Sequence, residues 1–226
     1  MQKLKLYALI NSCDPKITGN VSAQVYCNDY TMAYSRFQFE NENMLSPTTP
    51  VFPPLILEKK AKVTDLLSSY SDNLLFVSDK LKKLLQTCRL PTDDKYSFNK
   101  IKVLQNTTIL DYNLFFTVNF TNYIDYDKSC FEVSRWVMGE KIVAIEKVLF
   151  KDTEAIKAFS KNELPPLFKI VPINLTFTKD ISFIPDIFIL DLPIFVTVIS
   201  EELKNRILES KIIGIEIKPL PFDIDL

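Results

Sequence analysis

Two stretches of the chain decide the fold, because each predicts a β-strand that runs directly into a capped helix. They read Leu75-Phe76-Val77-Ser78-Asp79-Lys80-Leu81-Lys82-Lys83-Leu84-Leu85 and Val198-Ile199-Ser200-Glu201-Glu202-Leu203-Lys204-Asn205-Arg206-Ile207. Ser78 and Ser200 stand at the N-cap position, and acidic residues follow in the first turn, where the helix dipole favours negative charge. With a strand after each helix, the sequence predicts two similar strand–helix–strand units. Chance similarity is the alternative, since any capped helix begins in this way.

The segments around these units predict more strands than helices. Strand patterns cover residues 97–104, 107–120, 130–138 and 141–150, and several short apolar runs between residues 167 and 199 favour buried strands. Over residues 111–119 a helix is the alternative, although β-propensity favours the strand. Residues 152–159 predict a short helix, and Thr64 is expected to cap a short helical turn. Residues 212–218 predict a strand with Ile213 on its apolar face. The expected fold is α+β, with mainly antiparallel strands and three to four short helices.

The N-terminal quarter differs from the rest of the chain. Residues 3–10 begin by alternating lysine with apolar residues, which predicts a strand, and residues 46–54 contain four prolines, which favour an extended crossing. The sequence therefore predicts a strand-rich arm over residues 1–54 and a main α+β domain over residues 55–226. One continuous domain is the alternative.

Composition argues against several classes of function. The 226 residues include 27 basic and 28 acidic side chains, and this balance argues against a nucleic-acid-binding protein. Three glycines are too few for a phosphate-binding or dinucleotide-binding loop. The chain has no histidine, so it lacks the commonest general base and metal ligand. We therefore expect no cofactor and no metal, while an enzyme that uses carboxylates, lysine or tyrosine remains an alternative.

The cysteines and the hydropathy of the chain indicate its compartment. Cys13, Cys27, Cys88 and Cys130 form no C-x-x-C pair, so the sequence favours small core residues over a zinc or redox site. No apolar leader follows Met1, and no apolar run reaches the length of a membrane span. These features predict a cytoplasmic protein with reduced thiols that does not bind membranes.

Three aspartates are candidates for acid–base chemistry. Asp111, Asp125 and Asp127 lie near one another in sequence, and two carboxylates in distinct environments can act as acid and base. Asp125 and Asp127 fall in a polar turn, however, where hydrogen bonding to the local backbone is the simpler explanation. Trp136, the single tryptophan, is expected to pack in the core.

Three tyrosines are candidates for a protein contact. Tyr26, Tyr30 and Tyr34 recur at a spacing of four, which places them on one face of either a helix or a strand. Exposed tyrosines are enriched where proteins bind one another. The sequence therefore predicts a partner-binding surface at these three residues.

Several short motifs are spread along the main part of the chain. They are residues 61–68 (AKVTDLLS), 75–82 (LFVSDKLK), 112–115 (YNLF) with Asn119, 125–129 (DYDKS), 194–196 (IFV), 198–204 (VISEELK) and 213–219 (IGIEIKP). Together they resemble those of a bacterial family, the immunity proteins of polymorphic toxin systems of the "immunity protein eleven" type and its relatives. The resemblance covers about residues 55–220. It departs from the family before the last strand, where members often carry a basic or histidine-containing element and this chain has only Phe168-Lys169.

The resemblance implies a cytoplasmic bacterial protein that binds and neutralises a cognate toxin. It implies no enzyme activity and no catalytic residue, and it leaves the toxin, the contact surface and the oligomeric state open. The alternatives are a hydrolase or transferase that uses carboxylates around Asp125 and Asp127, and a structural or scaffolding protein. A scaffold would carry a large self-complementary apolar patch.

Overall fold

The structure is a computed structural model that describes residues 5–27, 52–69, 74–90, 96–117, 119–137, 140–178, 183–191 and 195–225. Strands predominate over short helices, which confirms the predicted α+β class. The helices are α1 (Pro15–Thr18), α2 (Asp79–Leu85), α3 (Thr153–Asn162) and α4 (Glu201–Glu209). The strands are β1 (Leu6–Asn11), β2 (Val25–Tyr26), β3 (Leu55–Leu57), β4 (Leu66–Leu67), β5 (Leu75–Val77), β6 (Ser97–Gln105), β7 (Thr108–Phe116), β8 (Cys130–Val137), β9 (Glu140–Val148), β10 (Phe168–Thr176), β11 (Ile187–Asp191), β12 (Phe195–Ser200), β13 (Ile215–Pro219) and β14 (Asp223–Asp225).

The described strands form three sheets. The first has the order β11-β12-β1-β13, the second β14-β10-β8-β9, and the third β2-β3-β6-β7-β5-β4. Neighbouring strands are antiparallel except in the pairs β3–β6 and β10–β14. The sheets are therefore mainly antiparallel, as the sequence predicts.

The two predicted strand–helix–strand units are present, and each belongs to a larger repeated arrangement. In the first unit, β4 pairs with β5, α2 follows β5, and β7 lies between β5 and β6. In the second unit, β11 pairs with β12, α4 follows β12, and β1 lies between β12 and β13. The two units share one topology, but their central strands come from different parts of the chain. In the first unit the central strand is β7, which follows β6, and in the second unit it is β1, which comes from the N-terminal segment.

The N-terminal segment contributes to two sheets. Strand β1 pairs with β12 on one side and with β13 on the other, and β2 pairs with β3. Inner strands are buried by their neighbours, so the second unit depends on a strand from the predicted arm. The domain boundary at residue 54 stays a prediction.

The core lies in three clusters of buried apolar side chains. The first fills the space between the two units and joins Leu81 and Leu85 of α2 to Leu203 and Ile207 of α4. The second joins the other face of the β1 sheet to the β8 sheet and to Ile156 of α3. The third covers the opposite face of the six-stranded sheet. The described part of the core thus runs through all three sheets, and the two units share its first cluster.

Several local predictions are wrong in instructive ways. Thr64 caps no helix, because the chain enters strand β4 two residues later and the threonine hydroxyl donates to the carbonyl of Leu66 at 2.6 Å. Cys13 is exposed, whereas Cys27 is buried as expected, and the other two thiols are half-buried. Strand β13 begins at Ile215, which leaves Ile213 on the surface. Trp136 lies in β8, and the prediction for its ring falls outside the described side chains.

Candidate interaction surface

Helix α2 begins at a serine that is held by the aspartate directly before strand β4. The Ser78 hydroxyl accepts from the backbone N–H of Leu81 at 3.2 Å, which confirms it as the N-cap. The same hydroxyl donates to Asp65 Oδ1 at 2.7 Å, and the Ser78 N–H donates to the Asp65 carbonyl at 2.8 Å. The cap is therefore fixed in place by the residue that precedes β4.

Helix α4 begins in the same way. The Ser200 hydroxyl accepts from the N–H of Leu203 at 3.1 Å, which confirms the second predicted cap. It donates to Asp186 Oδ1 at 2.7 Å, and the Ser200 N–H donates to the Asp186 carbonyl at 2.9 Å. Asp186 precedes β11 as Asp65 precedes β4.

Each aspartate also holds the loop that follows the helix of the other unit. Asp65 Oδ2 accepts from the backbone N–H of Ile213 at 3.0 Å, and its own N–H donates to the Ile213 carbonyl at 2.9 Å. Asp186 Oδ2 accepts from the N–H of Arg89 at 2.8 Å, and its N–H donates to the Arg89 carbonyl at 2.7 Å. We call these sets the first capping network (Asp65, Ser78 and Ile213) and the second capping network (Asp186, Ser200 and Arg89). They tie the two units together reciprocally.

Hydrogen bonds in the second network keep the buried Asp186 carboxyl group ionised. Burial by itself raises the pKa of Asp186, but hydrogen bonds from Arg89 and Ser200 outweigh burial and hold that pKa below its usual value. The Arg89 guanidinium contacts Asp186 Oδ1 at 2.7 Å, and the same interaction raises the pKa of Arg89. The buried carboxylate is thus ionised, and both of its oxygens accept hydrogen bonds from Arg89 and Ser200. Its role is therefore structural.

The three predicted tyrosines are only partly described. Tyr26 is half-buried in β2 opposite Ile56, while Tyr30 and Tyr34 lie outside the described residues. Tyr26 ends the short segment that follows α1. The tyrosine surface remains a prediction.

The candidate aspartates do not form one site. Asp111 lies in β7 and pairs with Lys102, while Asp125 lies in a turn against β10 and pairs with Lys128. Hydrogen bonds from these lysines lower the pKa of each carboxyl group, whereas a general acid at neutral pH needs a raised pKa. Asp127 is exposed. Local turn and ion-pair chemistry therefore explains these residues.

Exposed apolar side chains gather around α1. Ile17 of α1, Val63 and Ile213 are all exposed, at 38%, 42% and 50%. Backbone hydrogen bonds bring their segments side by side: the Lys62 N–H donates to Thr18, next to Ile17, and Asp65, two residues after Val63, bonds to Ile213. Three apolar side chains thus lie on adjoining surface segments.

A glycine lets these segments approach. Gly19 has φ +89°, and a Cβ atom there would lie 2.1 Å from the carbonyl oxygen of Lys60. The end of α1 therefore lies directly against residues 60–61, an approach that only glycine permits.

Lysines lie on the same segments as the apolar side chains. Lys16, Lys59, Lys60 and Lys62 are exposed, and the acidic residues on these segments are Asp14, which caps α1, and the half-buried Glu58 and Asp65. The Lys62 ammonium donates to the Lys16 carbonyl at 2.8 Å, which holds one charge at the end of α1. We call this surface the α1 patch, defined by Ile17, Val63 and Ile213 and by the four lysines Lys16, Lys59, Lys60 and Lys62.

Other surface features offer less. A depression that shares Lys59 and Lys60 with the patch is lined by residues 20–23 and 58–60 and is open to solvent. Strand β9 lies at the edge of its sheet and exposes Val143 and Ile145, but two irregularities in its pairing with β8 distort it, and such bulges discourage the addition of another strand.

Within the described ranges, no three side chains of the metal-binding types come together as a metal site. Among the helices described above, none has the length and apolar character needed to cross a membrane.

No protein-family model matches this sequence, and no curated protein matches it.

Sequence reasoning found the two serine caps but missed the aspartates and the α1 patch. A signal for the aspartates exists, because Asp65 and Asp186 stand 13 and 14 residues before their serines, each directly before an apolar pair. The α1 patch has no local signal, because Ile17, Val63 and Ile213 come from three segments that lie far apart in the sequence.

Proposed function

We propose that this chain is a non-enzymatic binding protein that neutralises a cognate bacterial toxin in the cytoplasm. The observation that carries the proposal is the α1 patch, where exposed apolar side chains lie on the same segments as exposed lysines. Contact surfaces combine a desolvated apolar centre with a polar rim. The resemblance of residues 55–220 to toxin immunity proteins supports the same function.

The alternative of a carboxylate-dependent hydrolase or transferase has weaker support. The lowered pKa values of Asp111 and Asp125 suit ion pairs, and each carboxyl group is engaged by its own lysine. A scaffold built from copies of this chain also has weaker support at the α1 patch, because two copies would bring like charges together.

The test uses the product of the gene directly upstream as the toxin. We expect the two proteins to co-purify as a stable complex when they are expressed together. We also expect the activity of the isolated toxin to fall to background as this chain is added to saturation. A toxin that stays fully active at saturating concentrations of a folded chain would contradict the proposal.

A further inference from the structure

The α1 patch carries information about the chemistry of its partner. Its four lysines, Lys16, Lys59, Lys60 and Lys62, outnumber the acidic residues on the same segments, which are Asp14, Glu58 and Asp65. None of the described acidic residues forms an ion pair with these lysines. An excess of positive charge costs little in water, but under a partner it needs opposite charge. The surface that covers the patch should therefore be acidic.

The apolar centre distinguishes a protein partner from nucleic acid. Ile17, Val63 and Ile213 are branched aliphatic side chains. Phosphate groups of a nucleic acid would pair with the lysines but would leave the three aliphatic side chains uncovered. Nucleic-acid bases stack on aromatic side chains, and the described part of the patch has none. A protein surface with apolar residues inside an acidic rim satisfies both features at once.

The backbone of the patch is already fixed, which favours tight binding. The end of α1 is held against Lys60 by the close approach at Gly19, and the Ile213 loop is held by Asp65 in the first capping network. A surface that is ordered before binding loses little conformational entropy when a partner docks.

From these features we infer that the α1 patch docks an acidic surface of the partner protein, with apolar partner residues against Ile17, Val63 and Ile213. This inference rests on the proposed function, because the partner is taken to be the cognate toxin. Attraction between the lysines and the acidic rim accelerates association and weakens as salt is added.

The test compares two double charge reversals of equal net charge. Lys59→Glu with Lys60→Glu changes the patch at an exposed turn, and Lys151→Glu with Lys161→Glu changes exposed lysines at either end of α3. Affinity for the product of the upstream gene is measured at low and at high salt, and thermal unfolding confirms that each variant folds. We expect the patch variant to lose about tenfold in affinity at low salt and clearly less at high salt, since screening already weakens the wild-type attraction. The control should stay within about twofold.

The outcomes separate this inference from the function on which it rests. Equal affinities for wild type, patch variant and control would overturn the inference and leave the neutralising function standing. Absence of binding by the wild type itself would overturn the proposed function. The patch reversal could instead leave toxin affinity unchanged and abolish another interaction: self-association in sedimentation, or binding to a DNA duplex or to anionic vesicles. That result would overturn the inference that the patch docks an acidic protein surface.

Discussion

The first and second capping networks use the same hydrogen bonds, yet their surroundings differ. Asp186 is fully buried, and the Arg89 side chain covers it and forms an ion pair with it. Asp65 is only partly buried, and beside it the exposed Val63 and Ile213 belong to the α1 patch. The hydrogen bonds that the two networks share hold the fold together, whereas the surface beside Asp65, which has no counterpart beside Asp186, faces outward. We therefore propose that the partner binds at this surface.

The loops held by the networks also differ, and this gives the largest expected effect. Gly214 follows Ile213 and has φ +89°, whereas the corresponding position after Arg89 is Leu90. A Cβ at Gly214 would lie 2.4 Å from the Leu66 carbonyl oxygen. We expect Gly214→Ala to destabilise the protein by about 4 kcal/mol, since left-handed strain and a backbone clash add. Urea unfolding of this variant and of Leu90→Ala measures the contrast; a loss below that of Leu90→Ala would contradict it.

Removing each aspartate tests whether the two networks are equally important. We expect Asp186→Ala to lower the free energy of unfolding by about 3 kcal/mol and Asp65→Ala by about 2 kcal/mol. The loss is larger for Asp186→Ala because this substitution leaves more buried hydrogen-bond donors without an acceptor. Asp186 accepts from the Arg89 backbone and side chain and from Ser200, whereas Asp65 accepts from Ser78 and Ile213 and lies 3.7 Å from the Lys80 ammonium. Denaturant unfolding of the single and double variants gives both values, and the reverse order would break the comparison.

These networks show what the sequence can and cannot predict. Ser78 and Ser200 are predictable because a cap bonds to a backbone group three residues away. Asp65 and Asp186 bond to loops 148 and 97 residues away, and their shared position before the serines does not indicate which loops they bind. The position of β1 between β12 and β13 and the exposure of Ile213 are set in the same way by contacts between distant segments.

Acid should weaken the second network in a defined direction. The pKa of Asp186 is lower in the folded protein than its usual value of 3.8. Its contribution is therefore complete above about pH 4 and is lost as the pH falls through the lower, folded pKa. We expect the wild type to lose stability below pH 4 more steeply than Asp186→Asn, as measured by thermal unfolding at several pH values. Parallel curves would show that Asp186 does not contribute in this way.

The caps themselves should give the smallest and most similar effects. Ser78→Ala and Ser200→Ala each remove a hydroxyl that accepts from the third residue of its helix and donates to an aspartate. We expect each to cost about 1 kcal/mol, with the two values agreeing to within about 0.5 kcal/mol. Chemical unfolding of both variants checks this; a difference above about 2 kcal/mol would show that the serines are not equivalent.

The most direct measurement of the docking site is the alkylation of Cys13 in the complex. Cys13 is an exposed thiol directly before the cap of α1, and Cys130, at the start of β8 in another sheet, is an internal control. Burial raises the pKa of Cys88 to about 11, so that thiol reacts slowly near neutral pH. We predict that the bound toxin slows alkylation of Cys13 at least tenfold and leaves Cys130 unchanged, as measured by mass spectrometry of the peptides. An unchanged Cys13 rate in a stable complex would place the docking surface elsewhere.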